Sequence, residues 1–307
     1  MDRWHWWNRH YGFLASTYTT IKGVTMENLT VLGTGVLGSQ IAFQAAYQGK
    51  NVVAYDLNDE ILAKLTARWE YLKPLYLRDL PEATPEKLDA AVRRIRTSSD
   101  LADALKDAEI VIEAVPEVLQ IKRDTWARAG ALAPAHTVFA TNSSTLLPSD
   151  IADATGRPEK FLALHFSNEV WRQNTGEIMG HAGTNPQYLD TVAVFAEEIG
   201  MMPIKLKKEQ PGYILNSLLV PFMTSAAKLY VRDVADVAVI DATWRRATGA
   251  PLGPFEIYDI IGMETPYNLN IQSEDPELRE FADTLKRNFI DQGRLGRATG
   301  KGFYDYE

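Results

Sequence analysis

Six residues, Gly33-Thr34-Gly35-Val36-Leu37-Gly38, constrain this 307-residue chain more than any others. They follow a short apolar run, Asn28-Leu-Thr-Val-Leu32, and open a segment whose apolar positions Val36, Leu37, Ile41, Ala42, Ala45 and Ala46 recur at helical spacing. Gly49 closes that helix as a C-terminal cap, and Asn51-Val-Val-Ala-Tyr-Asp56 reads as a second buried strand. Strand, helix and strand within about 30 residues is the crossover unit of a parallel sheet. In such a unit Gly33 permits the tight turn, Gly35 lets a pyrophosphate approach bare backbone, and Gly38 lets helix and strand pack closely. The amides at Val36 and Leu37 begin the helix and face the phosphates with its positive dipole end. Asp56, 18 residues beyond Gly38, accepts from the adenosine ribose hydroxyls. Its charge repels the extra phosphate of NADP, and no Arg follows at Leu57 or Asn58, so NAD is the expected cofactor. Two other readings stay open on these residues alone. The glycines could serve packing only, or the turn could be of the methyltransferase type with an acidic ribose ligand.

Beyond the turn, residues 59–96 are polar and helical in pattern, broken at Leu80-Pro81, and read as an inserted helical pair. Glu109–Val115, Thr137–Thr141, Phe161–Phe166 and Met202–Leu206 read as further strands, mostly separated by helical segments. The expected fold class is α/β, an N-terminal Rossmann-type doubly wound sheet followed by an all-α C-terminal domain. The polar stretch Lys207-Lys-Glu-Gln-Pro-Gly212 marks the boundary, giving a dinucleotide-binding domain over 26–207 and a helical domain over 208–307. Helices are expected at 212–231, 235–248, 254–261 and 277–290, before a Gly-rich tail from Gly293. Residues 1–25, with Trp4, Trp6 and Trp7 among basic residues, lack the long apolar stretch of a signal peptide and read as a leader or tag-like segment; the rival is an aromatic arm that packs on a partner. The net charge of −8 argues against nucleic acid as a main partner. The chain has no cysteine, which excludes disulfides and thiolate chemistry and fits a reducing, cytoplasmic setting. No run of about 20 apolar residues was found, so no membrane-spanning helix is expected.

His165 ends an apolar strand, where a histidine is ordinarily a satisfied core residue. Its neighbourhood points to chemistry. Asn168 lies three residues on, Glu177 twelve on, and Thr141-Asn142-Ser143-Ser144-Thr145 ends an earlier strand with hydroxyls and an amide. Sites in open α/β sheets form at the carboxyl ends of strands, so these groups can converge. The chain resembles the L-3-hydroxyacyl-CoA dehydrogenase family, in its short bacterial 3-hydroxybutyryl-CoA dehydrogenase form, over residues 28–305. The resemblance is carried by Gly33–Gly38, Ala140-Thr-Asn-Ser-Ser-Thr-Leu146, Leu164-His-Phe-Ser-Asn168 with Glu177, Gln210-Pro-Gly-Tyr-Ile-Leu-Asn216, Gly249-Ala-Pro-Leu-Gly-Pro-Phe255 and Thr299-Gly-Lys-Gly-Phe-Tyr304.

The resemblance implies NAD-dependent interconversion of a short 3-hydroxyacyl-CoA and its 3-oxoacyl-CoA by direct hydride transfer, without a metal. It makes His165 the general base, Glu177 the group that orients it, Ser144 the hydrogen-bond partner of the substrate oxygen, and Asn216 a further substrate contact. Glu117 and Lys122 match positions that touch the nicotinamide ribose, and Asn142, Ser144 and Asn168 match other cofactor-side positions. A plainer reading makes Glu117 and Lys122 a surface helix pair. The inserted helices carry the family's CoA contacts, with Lys73 and Arg78 the obvious basic residues here. The helical domain forms a homodimer interface in that family, and no membrane association is expected.

The chain departs from the family pattern after Asn168. Glu169 replaces the usual proline, and Glu169-Val-Trp-Arg-Gln-Asn-Thr-Gly176 brings Trp171 and Arg172 beside His165 and Glu177. This segment is expected near the acyl end of the substrate, with Arg172 a candidate for a substrate anion. In the tail, Ala298 stands where a cofactor-contacting Lys is usual, with Arg297 or Lys301 as candidate substitutes. A CoA-free 3-hydroxy acid such as carnitine or a sugar acid stays open as substrate. A cofactor-binding protein of the same fold without turnover is the third reading.

Overall fold

The computed structural model describes residues 25–306. Apart from Thr25, the leader segment therefore lies outside the described residues. The chain divides between Ile214 and Leu215 into two compact units.

The first unit is built on eight strands: β1 (Asn28–Leu32), β2 (Asn51–Tyr55), β3 (Ile95–Ser98), β4 (Ile110–Glu113), β5 (Val138–Thr141), β6 (Phe161–Phe166), β7 (Thr175–Met179) and β8 (Met202–Lys205). They form one sheet in the order β3-β2-β1-β4-β5-β6-β7-β8. All neighbours are parallel except β6 and β7, which run antiparallel with His165 opposite Glu177. The central strands are nearly continuous apolar runs because both faces are covered. Alternate residues feed two cores. Val31, Ile110, Ile112, Val138, Ala140 and Leu162 pack on one face with Phe43, Trp69 and Tyr76. Leu32, Val111, Phe139 and Phe161 pack on the other with Trp126 and Leu105.

Helix α1 (Val36–Tyr47) follows the glycine turn. The segment 59–96 is not a simple helical pair. It contains α2 (Asp59–Leu62), α3 (Leu65–Asp79) and α4 (Pro85–Arg93), and it ends in the edge strand β3. That strand pairs only with β2 and leaves Arg96 and Thr97 exposed, so Ile95-Arg-Thr-Ser98 lacks the apolar pattern of a central strand. Asn58 and Thr84 cap α2 and α4 by accepting from Ile61 N and Lys87 N. Helices α5 (Leu101–Leu105), α6 (Leu119–Leu132), α7 (Pro148–Ile151) and α8 (Pro186–Glu198) complete the unit.

The second unit is helical: most of α9 (Tyr213–Val231), then α10 (Val237–Thr248), α11 (Pro254–Ile261), α12 (Glu264–Asn270) and α13 (Pro276–Asn288). Helix α12 lies between the helices expected at 254–261 and 277–290; its Pro266 sits in the first turn, where its missing N–H costs nothing. Met223, Phe255, Tyr258, Phe281 and Leu285 form the core. Two buried carboxylates tie the tail to it. Asp241 accepts from Phe255 N, Glu256 N and the Tyr304 hydroxyl, and Asp259 accepts from Phe303 N, Tyr304 N and the Tyr306 hydroxyl. Contrary to the expectation from apolar runs, α9 is long and apolar enough by length and composition to cross a membrane, with 17% of its window buried. Leu218 and Val220 are among its exposed residues.

Candidate active site

The cofactor turn has the shape the glycines suggest. Gly33 has φ 92°, and a Cβ on Gly38 would lie 2.0 Å from the Gly33 carbonyl oxygen. The space over Gly35 is open, with nothing within 4 Å of an added Cβ. Helix α1 has no side-chain N-cap and no acidic residue in its first turn, so its amides and dipole are left for an anion. Asp56 is held at the end of β2 by Thr34, whose amide and hydroxyl donate to Oδ2 at 2.7 and 2.6 Å, and by Leu57 N on Oδ1 at 2.8 Å. Arg68 of α3 donates to the Thr34 carbonyl. An uncapped helix start, an open glycine face and a fixed acid match the pyrophosphate and ribose of a dinucleotide.

At the end of β6 the His165 ring is 5% exposed. Its Nδ1 lies 3.0 Å from Glu177 Oε2, and its Nε2 lies 3.3 Å from Ser144 Oγ. A carboxylate can only accept, so Nδ1 donates to it, and in the neutral imidazole Nε2 then presents a lone pair. The other Glu177 oxygen accepts from Ile214 N at 2.9 Å. The antiparallel ladder sets the pair, since directly opposed residues share a face. Tyr213, which the sequence reading quoted without a role, stacks on His165 with centroids 4.4 Å apart and planes 10° apart. Its hydroxyl donates to the Ser143 carbonyl at 2.7 Å. Burial, with the charges of Glu117 and Glu177, raises the phenol pKa far above its ordinary value, so it stays a donor. Tyr213 has φ 54°, directly after Gly212; an aromatic following Pro-Gly was the available signal.

The remaining expected residues fall into distinct places. Asn142 is buried and its Oδ1 accepts from Phe166 N at 2.9 Å, joining the ends of β5 and β6. Asn168 is exposed in the following turn. Glu117 and Lys122 are not a surface pair: Lys122 is 1% exposed, and Glu117 gathers the Ser143–Leu146 turn. Asn216 lies in the first turn of α9, just inside the second unit. Arg297 lies over the Tyr306 ring, and Lys301 bridges Gly296 and Asp305 through its backbone.

Trp171, expected beside the substrate, instead enters the core. It is 5% exposed, packs on Tyr76 at 5.0 Å, and donates its Nε1 proton to Asp79 Oδ2 at 2.9 Å. The turn that swings it inward holds Glu169 at φ 59°, with the amides of Glu169 and Val170 on Gln40 Oε1. Arg172 is half exposed and faces Glu169 at 3.7 Å. Lys73 and Arg78 are both paired with acids, Lys73 to Glu70 and Asp89, and Arg78 to Asp79.

Known proteins resemble the chain over both of its units. Residues 28–210 match the NAD binding domain of 3-hydroxyacyl-CoA dehydrogenase, and residues 212–306 match its C-terminal domain. The mitochondrial hydroxyacyl-coenzyme A dehydrogenase of Rattus norvegicus is 33% identical over 293 residues, covering 93% of each chain. A solved diketoreductase, described for substrate-directed dual catalysis of dicarbonyl compounds, is 55% identical with a TM-score of 0.88, covering 92% of this chain and all of that one. The (S)-3-hydroxybutyryl-CoA dehydrogenase of Ralstonia eutropha is 28% identical with a TM-score of 0.76, at 92% and 100% coverage. The chain belongs to the 3-hydroxyacyl-CoA dehydrogenase family, and its N-terminal domain is the NAD-binding domain of that family of NAD-dependent oxidoreductases.

Proposed function

We propose that the chain interconverts a 3-hydroxyacyl compound and its 3-oxo counterpart, with His165 and Glu177 as the acid–base pair. The observation that carries this reading is the line Ser144 Oγ, His165 Nε2, His165 Nδ1, Glu177 Oε2, at 3.3 and 3.0 Å. In oxidation, the Nε2 lone pair takes the proton of the 3-hydroxyl, and Glu177 stabilises the imidazolium that forms. Bound NAD supplies the hydride acceptor. In reduction, Nε2–H returns the proton to the new alkoxide. Ser144 fixes the substrate oxygen beside Nε2, and Tyr213 covers one face of the imidazole and keeps water from it. The test is NADH consumption with acetoacetyl-CoA by the unaltered chain and by His165→Gln. Turnover in the variant is expected to fall at least about a hundredfold, with NADH binding retained; near-normal turnover refutes the role.

A second reading concerns the acyl carrier. Lys73 and Arg78, the cations assigned to CoA, each face carboxylates, and the diketoreductase at 55% identity acts on dicarbonyl compounds. Both favour a small 1,3-dicarbonyl compound that carries no CoA. Ethyl acetoacetate reduced with a higher kcat/KM than acetoacetyl-CoA supports this reading, and the reverse order supports the thioester. The exposed apolar residues of α9 support the homodimer assigned to the helical domain. A monomer in equilibrium sedimentation refutes it.

A further inference from the structure

Behind the Ser144 turn lies a buried ion pair that the proposed reaction does not use. Glu113, at the end of β4, is fully buried. It accepts from Lys122 Nζ at 2.6 Å, Val115 N at 2.9 Å, Thr141 Oγ1 at 2.8 Å and Trp126 Nε1 at 3.2 Å. Lys122, 1% exposed on α6, also reaches Glu117 Oε2 and the Val115 carbonyl, both at 3.2 Å. The ammonium thus donates to Glu113 and the Val115 carbonyl and forms an ion pair with Glu117. The other oxygen of Glu117 is the hub of the turn. Oε1 accepts from Ser143 Oγ (2.6 Å), Ser144 N (2.9 Å), Thr145 N (2.8 Å), Thr145 Oγ1 (2.9 Å) and Leu146 N (3.4 Å).

We infer that Glu113, Lys122 and Glu117 form one clamp that positions the Ser144 hydroxyl against His165, with Lys122 and Glu113 as positioning residues. A lone carboxylate gathering five donors from one short turn needs its charge and its place fixed. The ammonium supplies both, and Glu113 holds the ammonium. The buried Glu113–Lys122 pair is costly to assemble, because both ions lose their hydration, so its value lies in geometry rather than stability. Burial pushes the Glu117 carboxyl up, but the Ser143 hydroxyl, the Lys122 charge and Thr145 outweigh it and hold the pKa at about 2. Glu117 is therefore charged throughout the neutral range.

The inference rests on the role proposed for Ser144, and the experiment separates the two. The Glu113→Gln/Lys122→Met pair removes both inner charges together, so no unpaired ion is buried and the fold is retained; circular dichroism checks this. Amide hydrogen exchange at Ser144, Thr145 and Leu146 should accelerate about tenfold or more in the double variant, while β4 and β5 stay protected. Turnover of acetoacetyl-CoA or ethyl acetoacetate should fall roughly ten- to a hundredfold, mainly in kcat, as expected for a group displaced by about 1 Å. In a Ser144→Ala background the same double variant should cost less than threefold more, because the clamp acts through that hydroxyl. Unchanged exchange in the turn overturns the clamp. Additive losses in the two backgrounds overturn its action through Ser144. If the unaltered chain turns over neither substrate, the proposed function falls while hydrogen exchange still decides whether the clamp exists. A double variant that does not fold is replaced by Glu113→Gln alone, which leaves Lys122 paired with Glu117, read by the same exchange measurement.

Discussion

Replacing Glu177 with Gln keeps the size of the side chain and nearly all its contacts, yet it should disable the site through a single proton. Glu177 uses one oxygen for His165 Nδ1 and the other for Ile214 N. Ile214 N–H can only donate, so it claims the lone amide oxygen of Gln. The amide NH2 then faces His165 and forces Nδ1 to accept. The imidazole proton moves to Nε2, where the lone pair for the 3-hydroxyl proton should be. Flipping the amide restores the tautomer but sets NH2 against the Ile214 N–H. An unsatisfied buried donor costs about 1–3 kcal/mol, so the productive arrangement falls to roughly 1–20% of molecules. The imidazolium also loses its counter-charge. Together these predict a loss in kcat of about 10³-fold, in the range seen when an acid that orients a catalytic histidine becomes an amide. Glu177→Ala removes the wrong-way donor and lets water hold Nδ1–H, so its loss should be smaller, about 10²-fold. The assay is steady-state NADH oxidation by both variants, with NADH affinity from fluorescence as a check on folding. A Gln variant within tenfold of the unaltered chain, or clearly better than the Ala variant, refutes the tautomer argument.

Three further outcomes follow from the same geometry. Gly38→Ala forces its Cβ to within 2.0 Å of the Gly33 carbonyl oxygen, so the turn must open; NADH affinity should fall at least about a hundredfold, and overpacking of about 1–3 kcal/mol should lower the melting temperature. Trp171→Phe keeps an aromatic ring on Tyr76 but removes the hydrogen bond to the Asp79 carboxylate; urea unfolding should show a loss of about 1.5–3 kcal/mol. Glu117 has a folded pKa of about 2 against an ordinary 4.5, so its stabilisation is complete above about pH 4.5 and disappears as the pH falls through 2. Its side chain is 37% exposed, so after solvent screening about 1–2 kcal/mol separates the chain from Glu117→Gln at pH 7; a stability gap that does not narrow between pH 4.5 and 2.5 contradicts the assignment.

The parts of the fold visible in the sequence were those with strong periodicity or fixed chemistry. The β1–α1–β2 unit declares itself through its glycines and two apolar strands, and His165 through its place at the end of a wholly buried run. Strand β3 escaped because an edge strand half open to water carries Arg and Thr where a central strand carries Val. Trp171 was misplaced because sequence proximity to His165 says nothing about direction; the left-handed Glu169 turns the chain toward α3. The Glu113–Lys122 pair was invisible for another reason. Its members are nine residues apart across a strand, a turn and a helix, where no helical or strand spacing relates them. Tyr213 meets His165 only through the tertiary path of the chain.

The pairing of β6 with β7 separates two properties that a sequence alignment would blend. Because His165 and Glu177 face each other across ladder rungs, their spacing is fixed by backbone register and not by the residues between them. The intervening loop, 167–174, can lengthen, shorten or change its chemistry while the strands keep their rungs. A change in the length of this loop should leave the acid–base pair where the ladder put it.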